Sequence, residues 1–252
     1  MKNFIFKNNK WSYISIILLI IGWEAASFLI NQEIILPSLH LLGRELFLIL
    51  GKLESYKIIF ATLIRIVLTF LLDLFLALCL GIPAGLWKTF EEIIRPLESA
   101  VRSVPTMGVI LLSLIWLDAE LTPIFVTTLI VFPMLYRNVL DGIRSLDRGL
   151  LEFHRVHEVP MFKRIKCFYI PALLPFLRSG CVAGLGLAFK VMITAEVLSQ
   201  PQTAIGTIYQ IERSRLNTAA VMAWSFLLII ISAGVGHAAE KMGQSKTEAV
   251  KK

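Results

Sequence analysis

Apolar runs approaching the thickness of a bilayer recur six times in this 252-residue chain, and they leave it few folds to choose from. About 20 apolar residues, rising 1.5 Å each in a helix, match the hydrocarbon layer. The runs are residues 12–30, 58–80, 105–117, 121–135, 172–198 and 218–237. The third and fourth are short, and only Asp118, Ala119 and Glu120 divide them. In hydrocarbon every peptide N–H and C=O must be satisfied inside the protein, so such runs predict an all-α, polytopic membrane protein with six transmembrane helices. Composition agrees: hydrophobic residues make up 56% of the chain and mean hydropathy is +0.74, more than one soluble core accommodates.

The formal net charge of +7 is unevenly placed. Residues 1–11, 87–104, 136–171 and 239–252 carry 17 Lys and Arg, whereas residues 31–57, 118–120 and 199–217 carry 5. Basic loops stay on the cytoplasmic side, so both termini and the 136–171 loop are predicted to be cytoplasmic, with the lipid bilayer as the surrounding partner. The excess of positive charge is then a topology signal and calls for no nucleic acid. Lys2, Lys7 and Lys10 precede the first run as in a secretory signal, but the run is long and lacks a clear cleavage site, so it reads as a retained helix. Cys79, Cys167 and Cys181 share no metal or redox spacing and read as small apolar fillers.

Residues 1–56 read as a lead-in containing the first helix and the Leu36-Pro37-Ser38 turn. Residues 57–238 read as one five-helix core with a cytoplasmic loop near 146–168, and 239–252 as a tail without apolar periodicity. Gly81-x-x-x-Gly85 and Gly180-x-x-x-Gly184 permit close helix contact.

The stretch EFHRVHEVPMFKRIKCFYIP, Glu152 to Pro171, is polar and basic. Asp147 is placed to cap a short helix. Leu146, Leu150 and Phe153 follow the spacing of one helical face, Pro160 interrupts, and Lys163, Arg164 and Lys166 lie in a second amphipathic piece. A helix–turn–helix projecting into the cytoplasm fits this pattern, as does a plain basic loop. Glu152, His154, His157 and Glu158 contain metal-ligating groups, but their spacing is not His-Glu-x-x-His, so no metal is assigned.

Glu152, Phe168, Ile170 and Pro171 fall on the Glu, Ile, Leu and Pro of the signature loop of ATP-binding-cassette importer permeases: Glu-Ala-Ala, three residues, Gly, nine residues, Ile-x-Leu-Pro. Phe153 and His154 replace the two Ala, and Glu158 replaces the Gly, which requires a different turn. Leu36-Pro37-Ser38, Thr62-Leu63-Ile64-Arg65, Gly81-Ile82-Pro83-Ala84-Gly85, Ile94-Arg95-Pro96-Leu97, Val104-Pro105, Phe132-Pro133 and Ala195-Glu196 also resemble the nitrate, sulfonate and taurine branch, in the same order along the chain.

The resemblance implies a type I importer permease of the bacterial cytoplasmic membrane. It implies a homodimer of such subunits, two copies of an ATP-binding subunit inside and a substrate-binding protein outside. Asp147, Glu152, Phe153, His154, His157, Glu158 and Pro171 would then meet the ATPase. The chain has no Gly-x-x-x-x-Gly-Lys-Ser/Thr loop, so ATP hydrolysis is expected in the separate subunit, with no catalytic residue and no cofactor here. The solute would be small and anionic or heterocyclic, carried by alternating access.

Arg65, Asp73 and Lys190 lie inside apolar runs, where a charge costs at least about 2.5–3.5 kcal/mol at mid-bilayer. With Glu196 they are the candidates for the translocation path. Arg65 is open to snorkelling outward near the start of its helix. Lys190 is open either to the path or to an ion pair with Asp73. An ion-coupled secondary transporter using Asp73, Lys190 and Glu196 is the alternative reading.

Overall fold

The computed structural model describes residues 10–146, 160, 163 and 169–250. Among these, the regular elements are α-helices: α1 (Lys10–Ile30), α2 (Leu39–Gly51), α3 (Leu53–Leu86), α4 (Lys88–Ser103), α5 (Thr106–Trp116), α6 (Thr122–Arg144), α7 (Ile170–Ser199), α8 (Ile205–Ser214) and α9 (Thr218–Val250). Five helices are long and apolar enough to cross a membrane, and a sixth span results if α4 and α5, bent by 98° at their junction, are taken as one. The all-helical membrane architecture read from the apolar runs therefore holds.

The third and fourth runs are drawn differently from the sequence expectation. The third is only the 11-residue α5, about 16 Å long by helical rise and too short to span alone. The fourth, α6, runs on to Arg144 rather than ending near residue 135. Arg137 and Arg144, counted with the 136–171 loop in the sequence, lie on this helix and have acidic partners on α4. Three helices were also missed, the first being α4, which occupies the loop read at 87–104. α2 begins at Ser38, whose hydroxyl accepts from the Leu41 N–H at 3.4 Å. α8 occupies part of the 199–217 stretch.

The chain divides into two compact units. The first comprises residues 1–57 and 208–229. Within it, the turn after α1 folds back on that helix: the Trp23 indole donates to the Pro37 carbonyl at 3.1 Å and Ser27 Oγ donates to the Leu36 carbonyl at 3.0 Å. Tyr209 and Ser225 share a hydroxyl hydrogen bond of 2.8 Å.

The second unit comprises residues 58–207 and 230–252. Its core brings Ile66, Phe70, Ala77 and Ala84 of α3 against Val131, Leu135, Val139 and Ile143 of α6, with Leu173, Ala188 and Met192 of α7. These positions recur every three or four residues, the spacing of one helical face. Glycine decides how closely the helices approach. A Cβ at Gly85 would lie 2.5 Å from Ile143 Cβ, and one at Gly184 would lie 3.0 Å from Leu135 Cδ2. Both glycine pairs read from the sequence thus face α6 (Gly81 meets Val139 and Gly180 meets Asn138). Pro83 lies within α3 and withholds one i−4 hydrogen bond, which membrane helices tolerate.

Candidate functional site: two charge clusters along α6

The second unit carries two clusters of paired charge at the two ends of α6, about 33 Å apart by helical rise. At the N-terminal end, Glu196, one turn from the end of α7, is 0% exposed. Arg65 Nη1 donates to Glu196 Oε1 at 2.6 Å, and Arg65 Nη2 donates to Glu120 Oε2 at 2.7 Å. Thr62, one turn before Arg65 on α3, contacts both Glu196 oxygens at 3.1 Å. The Gly206 N–H donates to Glu196 Oε2 at 3.2 Å.

The same residues fasten the connection from α7 to α8. The Thr62 hydroxyl oxygen accepts from the Ile205 N–H at 3.1 Å, and Glu120 Oε1 accepts from the Gln202 N–H at 2.8 Å. Thr207 Oγ1 donates to the Pro201 carbonyl at 2.6 Å. Gln200 ends α7 with φ of 52°, a left-handed conformation that a non-glycine residue adopts at some cost. Gly206 is required by a close approach, because a Cβ there would lie 2.4 Å from Glu196 Cβ. A buried carboxylate is tolerable where charge-assisted and backbone donors replace its hydration, and Glu196 has both.

At the other end of α6, Glu98 of α4 is 4% exposed. Arg137 grips it with two hydrogen bonds, Nε to Oε1 at 2.9 Å and Nη2 to Oε2 at 2.8 Å. Arg102 adds a third at 3.2 Å from one turn along α4. Glu91, two turns from Glu98 toward the start of α4, pairs with Arg144 in the last turn of α6. With Phe90 and Ile94 packed on the core, α4 is strapped along α6 by an apolar strip and two ion pairs.

Beyond Arg144 lies the segment singled out in the sequence. Asp147, Glu152, Phe153, His154, His157 and Glu158 are outside the described residues; Pro171 is described and exposed in the first turn of α7. The flanks of the segment meet in one place. Leu146 and Leu173 belong to the same buried cluster, and a Cβ on Gly142 would lie 2.9 Å from Leu173 Cδ2. The two flanks, Leu146 and Leu173, are thus buried side by side in one core.

Of the intramembrane candidates, Arg65 and Glu196 are brought together. Arg65 is turned inward to two carboxylates, with its side chain 12% exposed, rather than outward to solvent. Asp73 and Lys190 are not brought together: among the described residues no ion pair joins them, Asp73 is 0% exposed and Lys190 is exposed. Glu120, Thr62 and Gly206 were not singled out as site residues. Glu120 carried a legible signal, since it is one of two acidic residues in a three-residue break between apolar runs. Glu91 and Glu98 carried one too, being acidic residues one helical heptad apart in a segment that also contains Phe90, Ile94 and Val101.

Comparison with known proteins supports the pattern read from the sequence. The family model described as binding-protein-dependent transport system inner membrane component matches residues 77–239. A protein of Bacillus subtilis (strain 168) bearing the description of an aliphatic sulfonates transport permease is 32% identical over 168 residues, 66% of this chain and 60% of the relative. An ABC transporter permease protein of Methanocaldococcus jannaschii, so described, is 24% identical over 233 residues, 89% of this chain and 87% of the relative. The taurine transport system permease protein of Escherichia coli (strain K12) is 23% identical over 222 residues, 86% of this chain and 80% of the relative.

Proposed function

We propose that this chain, which belongs to the family of binding-protein-dependent transport system inner membrane components, in its nitrate, sulfonate and taurine branch, forms the translocation pathway of an ATP-driven importer. The carrying observation is the family match over residues 77–239, which takes in α6, α7 and the segment between them. Its cargo is a small anionic or heterocyclic solute, moved by alternating access. Relatives described as aliphatic sulfonate, taurine and riboflavin permeases support that range.

In this reading two ATP-binding subunits dock against residues 147–168, with Glu152 as the acidic contact and Phe153, His154, His157 and Glu158 shaping a groove fit of their own. A second copy completes the pathway and a substrate-binding protein delivers solute outside. Both termini face the cytoplasm, and the Arg65–Glu196–Glu120 cluster lies at the outer end. The meeting of Leu146 and Leu173 in one cluster supports this docking role, since it anchors both flanks of the segment in the core. Glu196 is engaged by Arg65, Thr62 and Gly206, which favours an ATP-driven mechanism over an ion-coupled one built on Glu196. Lys190, exposed on α7, would meet an anionic solute.

Glu152→Ala tests the docking assignment. The variant should insert in the membrane yet lose co-purification with its ATPase and lose uptake. Normal association and uptake would overturn the assignment. Reporter fusions after Lys10, Ser55, Glu91, Arg148, Gln210 and Lys252 should read in, out, in, in, out and in. An external signal at Arg148 would remove the docking role as well.

A further inference from the structure

Near the middle of α3 stands a carboxylate with no counter-charge. Asp73 is 0% exposed. Its two oxygens are fully enclosed and neither completes a hydrogen bond of ordinary geometry. The hydroxyl oxygens of Thr69 and Thr128 are likewise enclosed and unsatisfied. Thr69 lies one turn before Asp73 on the same helical face, with Cβ atoms about 5–6 Å apart. Thr128, on α6, is the polar group that faces the carboxylate. Four enclosed oxygens therefore lie on neighbouring turns of α3 and on the facing residue of α6, beside the apolar Ile66, Phe70 and Ala77.

Among the described residues no ion pair reaches Asp73, and Arg178 of α7 has an interaction of its own. On its own helix, Arg65 is committed to Glu196 and Glu120. On α6, Arg137 is committed to Glu98 and Arg144 to Glu91. On α7, Lys190 is exposed and, among the described residues, forms no ion pair. Buried ionised groups persist only when paired or when they coordinate an ion, and intramembrane carboxylates commonly mark ion or proton sites.

We propose that Asp73, Thr69 and Thr128 form an intramembrane site for one small monovalent cation, a sodium ion or a proton. The charge count selects a single positive charge, because a divalent ion would leave the pocket as uncompensated as the bare carboxylate. The donor set selects a hard cation: all four atoms are carboxylate or hydroxyl oxygens, without sulfur or imidazole. Occupancy joins α3 to α6 through the carboxylate and the Thr128 hydroxyl. The site stands independently of the transport reading, since it depends only on the packing of these two helices.

The test is thermal unfolding of the full-length chain in detergent micelles, in sodium, potassium or choline chloride at constant ionic strength and over a pH series. A ligand that binds the folded state raises the melting temperature with its concentration. If the cation is sodium, the wild type melts higher in sodium chloride than in choline chloride, with a saturable concentration dependence. If it is a proton, the sodium-free protein melts progressively lower as pH rises from mildly acid to mildly alkaline, because the proton is released. In either case Asp73→Asn removes the dependence. Should Asp73→Asn not fold, Thr128→Val keeps the carboxylate and removes one donor. It should raise the half-saturating sodium concentration about tenfold, or displace the pH midpoint. Identical responses to sodium, potassium and pH in the wild type and in Asp73→Asn, or in the wild type and Thr128→Val, would overturn the proposal.

Discussion

Glu196 and Asp73 are both fully enclosed carboxylates in the same helical bundle, and the bundle treats them in opposite ways. Glu196 sits where α7 ends and α8 begins, a place rich in free donors. It takes a guanidinium, a hydroxyl and a backbone N–H. Asp73 sits mid-helix, where every backbone N–H is already used in the i−4 ladder, and only two side-chain hydroxyls remain nearby. A chain end supplies donors that a helix interior cannot. Buried charge at the helix termini can thus serve as a fastening, whereas Asp73 in mid-helix has no such donors from its own backbone.

The sharpest way to break this contrast is Arg65→Met. It leaves Glu196 enclosed with its main counter-charge gone, a change that typically costs about 3–5 kcal/mol, whereas Arg65→Met combined with Glu196→Met should recover most of the loss. Denaturant titration of the two variants would decide it; a double variant no better than the single would mean that Arg65 serves through packing alone. Next in size is Gly206→Ala. The added Cβ meets Glu196 Cβ and the Val197 nitrogen at 2.4 Å, and these neighbours cannot swing aside. Overpacking of about 1–3 kcal/mol should appear as a lower melting temperature.

The comparison extends to the C-terminal end of α6. Glu98→Gln keeps the shape but removes the charge that Arg137 and Arg102 share, and a loss of about 1.5–3 kcal/mol is expected for hydrogen bonds to charged groups. Because Arg137 keeps partial access to solvent, the lower half of that range is the firmer expectation. Smallest is Arg102→Ala. Its side chain is 60% exposed, so the pair should contribute less than about 0.5 kcal/mol. A larger effect at Arg102 than at Glu98 would reverse the ranking of buried over exposed partners on α4.

How far the sequence reaches is visible helix by helix. The long spans α1, α3, α7 and α9 follow from apolar length alone, since a bilayer demands about 20 such residues in a row. The Gly81/Gly85 and Gly180/Gly184 pairs were legible because only glycine removes the Cβ that would block α6. The α4–α5 bend and the true end of α6 were not legible. The bend falls at Val104-Pro105, where the angle between two helices is a tertiary property, and along the C-terminal part of α6 Arg144 and Arg137 meet Glu91 and Glu98, partners 53 and 39 residues away that no local window contains. α2 was hidden for a different reason: its apolar stretch is too short for a span and was absorbed into a loop.

The sequence by itself determined that this chain is a multi-pass helical membrane protein of the importer permease family. Apolar run length, charge asymmetry and motif order are properties of the chain that survive without coordinates. Tertiary structure alone decided which charges meet. Arg65, Glu120 and Glu196 lie at widely separated positions on three different segments, and they join because α3, α7 and the turn before α6 converge at one end of the bundle. Lys190 and Asp73, equally plausible as partners by composition, stay apart because rotation about each helix axis sends one outward and the other into the core. That rotation is set by close packing at Gly81, Gly85 and Gly184, and packing is a property of helices together that no helix carries alone.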